Sequence, residues 1–312
     1  MSEKSELIVL VPDEVGERAL ASLDGVRVVR YDESAGPEGL PPEAADAEVL
    51  IPGFLAQEAA TAMIKACPKV RLVQLLSAGA EKFIGHLPDG VALSDCKGAH
   101  GGVTAEWVLA TVLAVVREIP AFVRNQLTGH WDQHVTDTLL GKRILLVGAG
   151  DLAEQTSRRL APFDVGPVTL VGSRAREGVH GTDELPDLLG EADVVVLLVP
   201  LTDATRGLVD AAFLAAMPDG AILVNAARGP VVATDALLAE LQAERLRAAI
   251  DVTDPEPLPA DHPLWSAPGL LLTPHVGGSV PGHLDRAYRV VVTQLEAVRA
   301  GGDPPNLVVG QY

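Results

Sequence analysis

Cysteine and aromatic residues are scarce in this chain. Its 312 residues include two cysteines, Cys67 and Cys96, and aromatic side chains make up only 4% of the total. Neither cysteine stands in a metal-ligand spacing, and two cysteines suggest no disulfide framework, which argues against disulfide-rich and zinc-ribbon folds. This cysteine usage predicts a cytoplasmic location and a functional site without a metal ion.

Long apolar runs and positive charge are also lacking. The longest apolar run, residues 194–201, is far too short to cross a bilayer, and the first residues lack the basic region and apolar core of a secretory signal. The 42 acidic and 24 basic residues give a formal net charge of −18, which disfavours nucleic acid and membranes as partners. Any site for an anionic ligand must therefore be built from local cations and backbone N–H groups.

The chain is rich in short apolar strands that alternate with helices, a pattern typical of parallel sheets. Its length suits two domains. We predict an α/β fold: a Rossmann-type doubly wound parallel sheet in a cofactor domain, residues 99–284, and a flavodoxin-like α/β substrate domain, residues 1–98 and 285–312. The predicted strands are 7–11, 26–29, 49–51, 71–76, 91–93, 144–147, 168–171, 194–199, 221–224, 248–252 and 270–272, and the helices are 59–66, 104–117, 151–160, 210–216, 234–244 and 285–300.

A glycine-rich turn follows the predicted strand at 144–147. Gly148 and Gly150, with Ala153 in the third place, fit the G-x-G-x-x-G/A pattern of dinucleotide-binding turns. Gly148 permits the tight turn, Gly150 lets a pyrophosphate approach the backbone, and the helix that opens with Asp151 and Leu152 directs free N–H groups at the phosphates. The alternative is a turn without a ligand, but the flanking strand and helix favour the cofactor.

The end of the second strand in this domain indicates which nicotinamide cofactor binds. NAD-binding domains usually carry an acidic residue there to bind the ribose 2′-hydroxyl. This chain has Ser173 and Arg174 instead, which suit a 2′-phosphate and favour NADP over NAD. The alternative is that Arg174 and Arg176 are ordinary solvated loop residues.

Three further segments that follow predicted strands carry reactive side chains. Arg228 can hold a carboxylate and polarise a carbonyl, Glu256 lies between two prolines that restrict its backbone, and His275 follows a proline and precedes two glycines. A histidine at such a position can donate a proton to a developing alkoxide, and a fixed carboxylate can orient it. Each residue alone is more often structural or merely exposed, so the hypothesis depends on their combination.

The order of these residues after a dinucleotide turn resembles the D-isomer specific 2-hydroxyacid dehydrogenase family. Residues 76–83 look like the substrate loop of that family, residues 104–108 like the start of its long interdomain helix, and residues 199–207 like its L-P-L-T motif. The resemblance implies that Arg228 binds the substrate carboxylate and that His275 protonates the carbonyl oxygen. It also implies that Glu256 pairs with His275 and raises its pKa.

Other site residues are implied by the same resemblance. The substrate would be held by Ser77, Ala78 and Gly79 together with Arg228 and His275. Ala153 and Thr253 depart from the family pattern, which commonly has a glycine and an aromatic residue there. The expected cofactor-binding residues are Gly148, Gly150, Asp151, Leu152, Ser173, Arg174, Pro200, Thr202, Ala226, Arg228, Asp251, His275 and Gly277.

The function implied by the resemblance is reduction of a small 2-oxo acid to the D-2-hydroxy acid by hydride transfer from NAD(P)H. NADP-dependent glyoxylate/hydroxypyruvate reductases fit best, and the family implies a homodimer in which helix 104–117 is a candidate contact. Formate dehydrogenases have glutamine where this chain has Glu256, and phosphite dehydrogenases use a lysine in the substrate loop. The alternatives are a nucleotide-sensing interaction protein like the C-terminal binding protein corepressors, and an NADP-binding structural protein without turnover.

Overall fold

The computed structural model of the chain describes residues 6–53 and 57–310. These residues form two compact units. The terminal unit contains the described residues up to His100 and from Pro281 onward, and the central unit is Gly101–Val280. The sequence predicted domain boundaries after residues 98 and 284, which lie close to the two points where the chain passes from one unit to the other.

Strands and helices alternate along most of the chain. The strands are β1 (Leu7–Val11), β2 (Val26–Arg30), β3 (Val49–Leu50), β4 (Leu72–Gln74), β5 (Ala92–Ser94), β6 (Ile144–Val147), β7 (Val168–Gly172), β8 (His180–Gly181), β9 (Val194–Leu197), β10 (Ile222–Asn225), β11 (Arg247–Ile250) and β12 (Leu270–Leu272). The α-helices are α1 (Glu14–Leu20), α2 (Gln57–Ala66), α3 (Gly101–Val116), α4 (Ile119–Thr128), α5 (Asp151–Leu160), α6 (Leu185–Leu189), α7 (Ala211–Ala216), α8 (Thr234–Gln242) and α9 (His283–Arg299). Short 3₁₀ helices cover Glu33–Gly39, Pro42–Asp46, Ala161–Phe163, Thr182–Glu184, Gly229–Val231 and Pro263–Ser266.

The terminal unit is built on a parallel sheet of five strands in the order β2-β1-β3-β4-β5. This order is the flavodoxin-like one. Apolar side chains of β1, β3 and β4 pack with Ala287, Val291 and Leu295 of α9 in one buried cluster. The last helix therefore belongs to the same core as the first strands, although most of the sequence separates them.

The central unit is built on a parallel sheet of seven strands in the order β12-β11-β10-β9-β6-β7-β8. Strands β7 and β8 follow β6 on one side, and β9, β10, β11 and β12 then follow on the other side. The strand order therefore reverses between β6 and β9. This is the doubly wound topology, and the predicted fold class is confirmed. Strands β6, β9 and β10 are buried along their whole length, because helices cover both faces of such a sheet.

Helix α3 accounts for the most apolar helical stretch of the sequence. Its side chains Val108, Val112 and Val116 are buried together with residues of β6, β9 and β10, and the helix packs against α5. The central unit by itself already covers these side chains. Within the described residues, no helix is long and apolar enough to span a membrane.

Candidate active site

The residues expected to bind the cofactor follow six strands of the central sheet. Because all these strands are parallel, their carboxyl ends lie at one edge of the sheet, which is where doubly wound folds bind their ligands. The structure therefore brings the six predicted segments to one edge. They begin at Gly148 after β6, Ser173 after β7, Pro200 after β9, Ala226 after β10, Asp251 after β11 and His275 after β12.

The glycine-rich turn, residues 148–153, has the shape of a phosphate cradle. Gly148 has φ 127°, and a Cβ there would lie 2.6 Å from the carbonyl oxygen of Leu198, so a side chain is excluded at this position. A Cβ on Gly150 would meet nothing within 4 Å, which leaves open space above the first turn of α5. Ala153 is buried in the core behind the turn. These residues fit a dinucleotide pyrophosphate.

The side chain of Arg176, from the loop after β7, contacts the phosphate turn. Ser173 and Arg174 are exposed after β7, as a site for a ribose phosphate requires. Nη2 of Arg176 donates a hydrogen bond of 3.0 Å to the carbonyl of Ala149, within the turn itself. The sequence indicated no ligand role for Arg176, which lies two residues after Arg174 in the loop that follows β7.

The loop after β9 is fixed by a residue that sequence reasoning missed. The hydroxyl of Thr205 accepts a hydrogen bond of 2.8 Å from the N–H of Thr202 and donates one of 2.6 Å to the carbonyl of Pro200. Pro200 and Thr202, the residues of this loop that were predicted to contact the cofactor, are therefore both hydrogen-bonded to Thr205. The T-x-x-T spacing is typical of a side-chain turn and could have predicted it.

Arg228 is held by its neighbours after β10. Asn225 is buried, and its side chain donates to the carbonyl of Arg228 at 3.1 Å and accepts from the N–H of Ala227 at 3.0 Å. Nη1 of Arg228 donates to the carbonyl of Ala227 at 2.7 Å. A Cβ on Gly229 would overlap the carbonyl of Thr253, so the two segments touch along their backbones. Arg228 therefore stands next to the loop that carries Glu256.

Glu256 and His275 form a hydrogen-bonded pair. Oε1 of Glu256 lies 2.6 Å from Nδ1 of His275, and the two side chains are 41% and 47% exposed. With Nδ1 bonded to the carboxylate, Nε2 is the ring nitrogen that can exchange a proton with a substrate. Among the described residues, no group of three His, Cys, Asp or Glu side chains is placed to hold a metal ion.

A buried carboxylate shapes the histidine turn, residues 273–277. Asp251 accepts hydrogen bonds from the hydroxyl of Thr273 at 2.5 Å and from the N–H groups of Val276 at 2.9 Å and Gly277 at 2.7 Å. Its carbonyl accepts from the N–H of His275 at 2.7 Å, while His275 adopts a left-handed backbone with φ 54°. This conformation is unfavourable for a residue with a side chain. The carboxylate of Asp251, a predicted cofactor-binding residue, thus holds the turn that carries His275.

The expected substrate loop lies in the terminal unit, after β4. The hydroxyl of Ser77 donates to the carbonyl of Gly79 at 3.0 Å, and Nε2 of His100 lies 2.9 Å from the carbonyl of Leu76. Burial lowers the pKa of His100, and the positive charge of Arg286 lowers it further. At neutral pH the ring is therefore uncharged, and Nε2–H donates to the start of the loop.

Known proteins resemble this chain over most of its length. Residues 109–277 match the family described as D-isomer specific 2-hydroxyacid dehydrogenase, NAD binding domain. A glyoxylate reductase of Thermofilum pendens is 32% identical over 263 residues, which cover 79% of this chain and 77% of that protein.

Two solved structures share the whole fold. A D-isomer specific 2-hydroxyacid dehydrogenase from Xanthobacter autotrophicus, in complex with NADPH and MES, has 29% identity and a TM-score of 0.83 over 98% of both chains. An NADPH-dependent glyoxylate/hydroxypyruvate reductase from Sinorhizobium meliloti, in complex with NADP and sulfate, has 26% identity and a TM-score of 0.81, again over 98% of both chains. The resemblance seen in the sequence is confirmed: the chain belongs to the D-isomer specific 2-hydroxyacid dehydrogenase family of NAD(P)-dependent oxidoreductases.

Proposed function

We propose that the protein reduces a small 2-oxo acid, of the size of glyoxylate or hydroxypyruvate, to the D-2-hydroxy acid with NADPH. The observation that carries this proposal is the bond of 2.6 Å between Glu256 and His275 at the sheet edge that also holds the phosphate turn. A proton donor and a dinucleotide cradle at one edge are what carbonyl reduction requires. The names of the relatives from Thermofilum pendens and Sinorhizobium meliloti support the substrate class.

In the proposed reaction the four side chains of the site have different roles. The bound dinucleotide supplies the hydride. Arg228 holds the substrate carboxylate with its planar fork of donors and polarises the neighbouring carbonyl. His275 donates a proton from Nε2 to the carbonyl oxygen as negative charge develops there. Glu256 orients the imidazole through its hydrogen bond to Nδ1, while Asp251 holds the backbone of the histidine turn.

The terminal unit is proposed as the substrate domain and the central unit as the cofactor domain. Backbone N–H groups of Ser77, Ala78 and Gly79 would hold the substrate carboxylate. The bond from Ser77 to Gly79 and the contact of His100 with Leu76 support a fixed loop. A loop whose shape is set before binding loses less entropy when it orders a ligand.

We propose NADP rather than NAD as the cofactor. Ser173 and Arg174 lie exposed at the end of β7, where an acidic residue would bind a ribose 2′-hydroxyl, and Arg176 adds a second guanidinium against Ala149. Two arginines suit the charge of a 2′-phosphate. The NADPH and NADP complexes of the two structural relatives support the same choice.

A homodimer is proposed on a surface that the sequence analysis did not select. Residues 119–140, the α4 arm, expose several large apolar side chains, with Leu127 at 84%, Trp131 at 88% and Val135 at 96%. Such a concentration is typical of an interface with a second copy. Trp131→Ser is expected to give a monomer in light scattering. A dimer of unchanged stability would refute this surface.

A cytoplasmic location remains a proposal, supported by Cys67 and Cys96, which are buried free thiols. The corepressor-like alternative gains no support, because the relatives compared above are named as reductases or dehydrogenases. NADPH oxidation with glyoxylate and hydroxypyruvate, and with NADH in parallel, tests the enzyme directly. No oxidation of either cofactor, combined with tight cofactor binding, would overturn the proposal.

Glu256→Gln tests the catalytic pair. Gln keeps an acceptor for Nδ1 but replaces the charge-assisted hydrogen bond that orients the imidazole with a weaker neutral one, so turnover should fall about ten-fold or more. Glu184→Gln is a matched control, because Glu184 contacts Nδ1 of His180 at 2.7 Å with similar exposure in the same unit. Equal turnover in both variants would show that the pair at His275 has no catalytic role.

A further inference from the structure

The terminal unit contains a cationic groove that the proposed reaction does not use. It is a cavity of about 400 Å³ lined by residues 97–99, by one face of α9 and by residues 305–306. Three of its ten lining residues are cationic, namely Lys97, Arg286 and Arg289, and none is acidic. Acidic residues outnumber basic ones by 42 to 24 in the whole chain, so the positive charge of the groove is opposite in sign to the net charge of the protein.

The cations converge because of helix spacing. Arg286, Arg289 and Thr293 are three, then four, residues apart on α9 and so share one face of the helix. Lys97 joins them from the segment after β5, which Asn306 holds in place by donating to the carbonyl of Lys97 at 3.0 Å. The groove therefore presents three positive charges and the hydroxyl of Thr293. These groups are carried by a helix and by a segment that is hydrogen-bonded to Asn306.

These charges have no carboxylate partners within the part of the chain that the structure describes. The ion pairs recorded there do not include Lys97, Arg286 or Arg289. Arg286 donates through Nη1 to the carbonyl of Pro281 at 3.2 Å, but its Nε and Nη2 atoms are buried without a hydrogen-bond partner among the described residues. Buried donors without partners are rare in folded proteins. They indicate that a small shift of Arg286 toward an acceptor in the groove would be favourable.

We propose that the cationic groove binds a phosphate group, either as inorganic phosphate or as a small phosphate monoester. A phosphate carries close to two negative charges and three strong acceptor oxygens. It can therefore engage both arginines and Lys97 at once, whereas a single carboxylate has too few oxygens and too little charge. The cavity volume admits a small metabolite. The site lies in the terminal unit, whereas the pyrophosphate cradle at Gly148 lies in the central unit.

The test is a calorimetric titration of the full chain with inorganic phosphate and, separately, with glycerol 3-phosphate, at fixed ionic strength and with saturating NADP. The dinucleotide occupies the cradle at Gly148. The double variant Lys97→Gln/Arg289→Gln changes two exposed side chains of the groove. The matched control Arg27→Gln/Arg71→Gln removes the same charge from exposed arginines of the same unit that pair with Glu43 and Glu48.

We expect one phosphate-dependent binding event that the groove variant weakens about ten-fold or more, as loss of charge-assisted hydrogen bonds implies, and that the control leaves nearly unchanged. Tighter binding of glycerol 3-phosphate would identify a monoester as the ligand, and tighter binding of inorganic phosphate would identify the free ion. Phosphate bound at Arg228 would be weakened by neither variant. Equal affinity of the groove variant and the wild type, or no binding at millimolar phosphate, overturns the proposal.

Discussion

Replacing Asp251 with asparagine should damage both stability and catalysis. In the structure one carboxylate oxygen accepts from Thr273 and Val276, and the other accepts from Gly277. An asparagine can keep the first oxygen but places an NH₂ group against the N–H of Gly277. That backbone donor is then buried without a partner, which costs about 1–3 kcal/mol. The two remaining bonds lose the strength that a charged acceptor gives them, so the total loss should be about 2–3 kcal/mol.

Catalysis should fall because His275 depends on the same turn. Its left-handed backbone costs about 1–2 kcal/mol relative to an ordinary conformation, and the bonds around Asp251 hold it there. If the turn relaxes, the imidazole leaves its productive position, and kcat should fall about ten-fold or more.

Urea unfolding and steady-state kinetics measure the two effects of Asp251→Asn. The control is Asp210→Asn in the same unit, where Asp210 accepts from the N–H of Phe213 at 2.8 Å as the N-cap of α7. Asparagine is an equally good N-cap, so this variant should be nearly neutral. An unchanged urea midpoint for Asp251→Asn, or an unchanged kcat, would refute the positioning role.

Three further predictions concern the substrate, the cofactor and the α4 arm. Arg228→Lys loses the planar fork, so kcat/KM for the 2-oxo acid should fall at least about ten-fold in steady-state assays, and an unchanged value would contradict the role of Arg228. Arg174→Glu should move the ratio of kcat/KM for NADPH over NADH toward NADH by about ten-fold or more; a constant ratio would remove Arg174 from the cofactor site. Hydrogen bonds to Glu118 and Asp132 raise the pKa of His134. The protonated pair therefore stabilises the arm fully below the ordinary value of about 6.5, and this stabilisation is lost as pH rises through the higher folded-state pKa. Protection factors in residues 129–136, which correct hydrogen exchange for its intrinsic pH dependence, should fall across that window and stay constant in His134→Gln; constant protection factors in the wild type would contradict this.

The sequence predicted most strands because their burial leaves a direct pattern. Strands β1, β6 and β12 begin and end at the predicted residues, and the other predicted strands differ by one or two residues at their ends. Strands β6, β9 and β10 have both faces covered, so they form apolar runs that are easy to recognise. Helices α1, α4 and α6 were missed. Helices α1 and α6 have seven and five residues, which is too short for a clear periodic pattern. Helix α4 carries Pro120 at its start, which is a position that a helix tolerates.

The identity of Arg228, Glu256 and His275 came from the sequence by itself, because each follows a strand in a recognisable motif. Their arrangement came only from the tertiary structure. Glu256 and His275 are 19 residues apart, and Asp251 is 26 residues from the N–H of Gly277 that it binds. Neighbouring parallel strands place such residues at one sheet edge, but only the folded backbone decides which donor meets which acceptor. The contact of Arg176 with the phosphate turn and the convergence of Lys97 with α9 depend in the same way on tertiary contacts that no local pattern encodes.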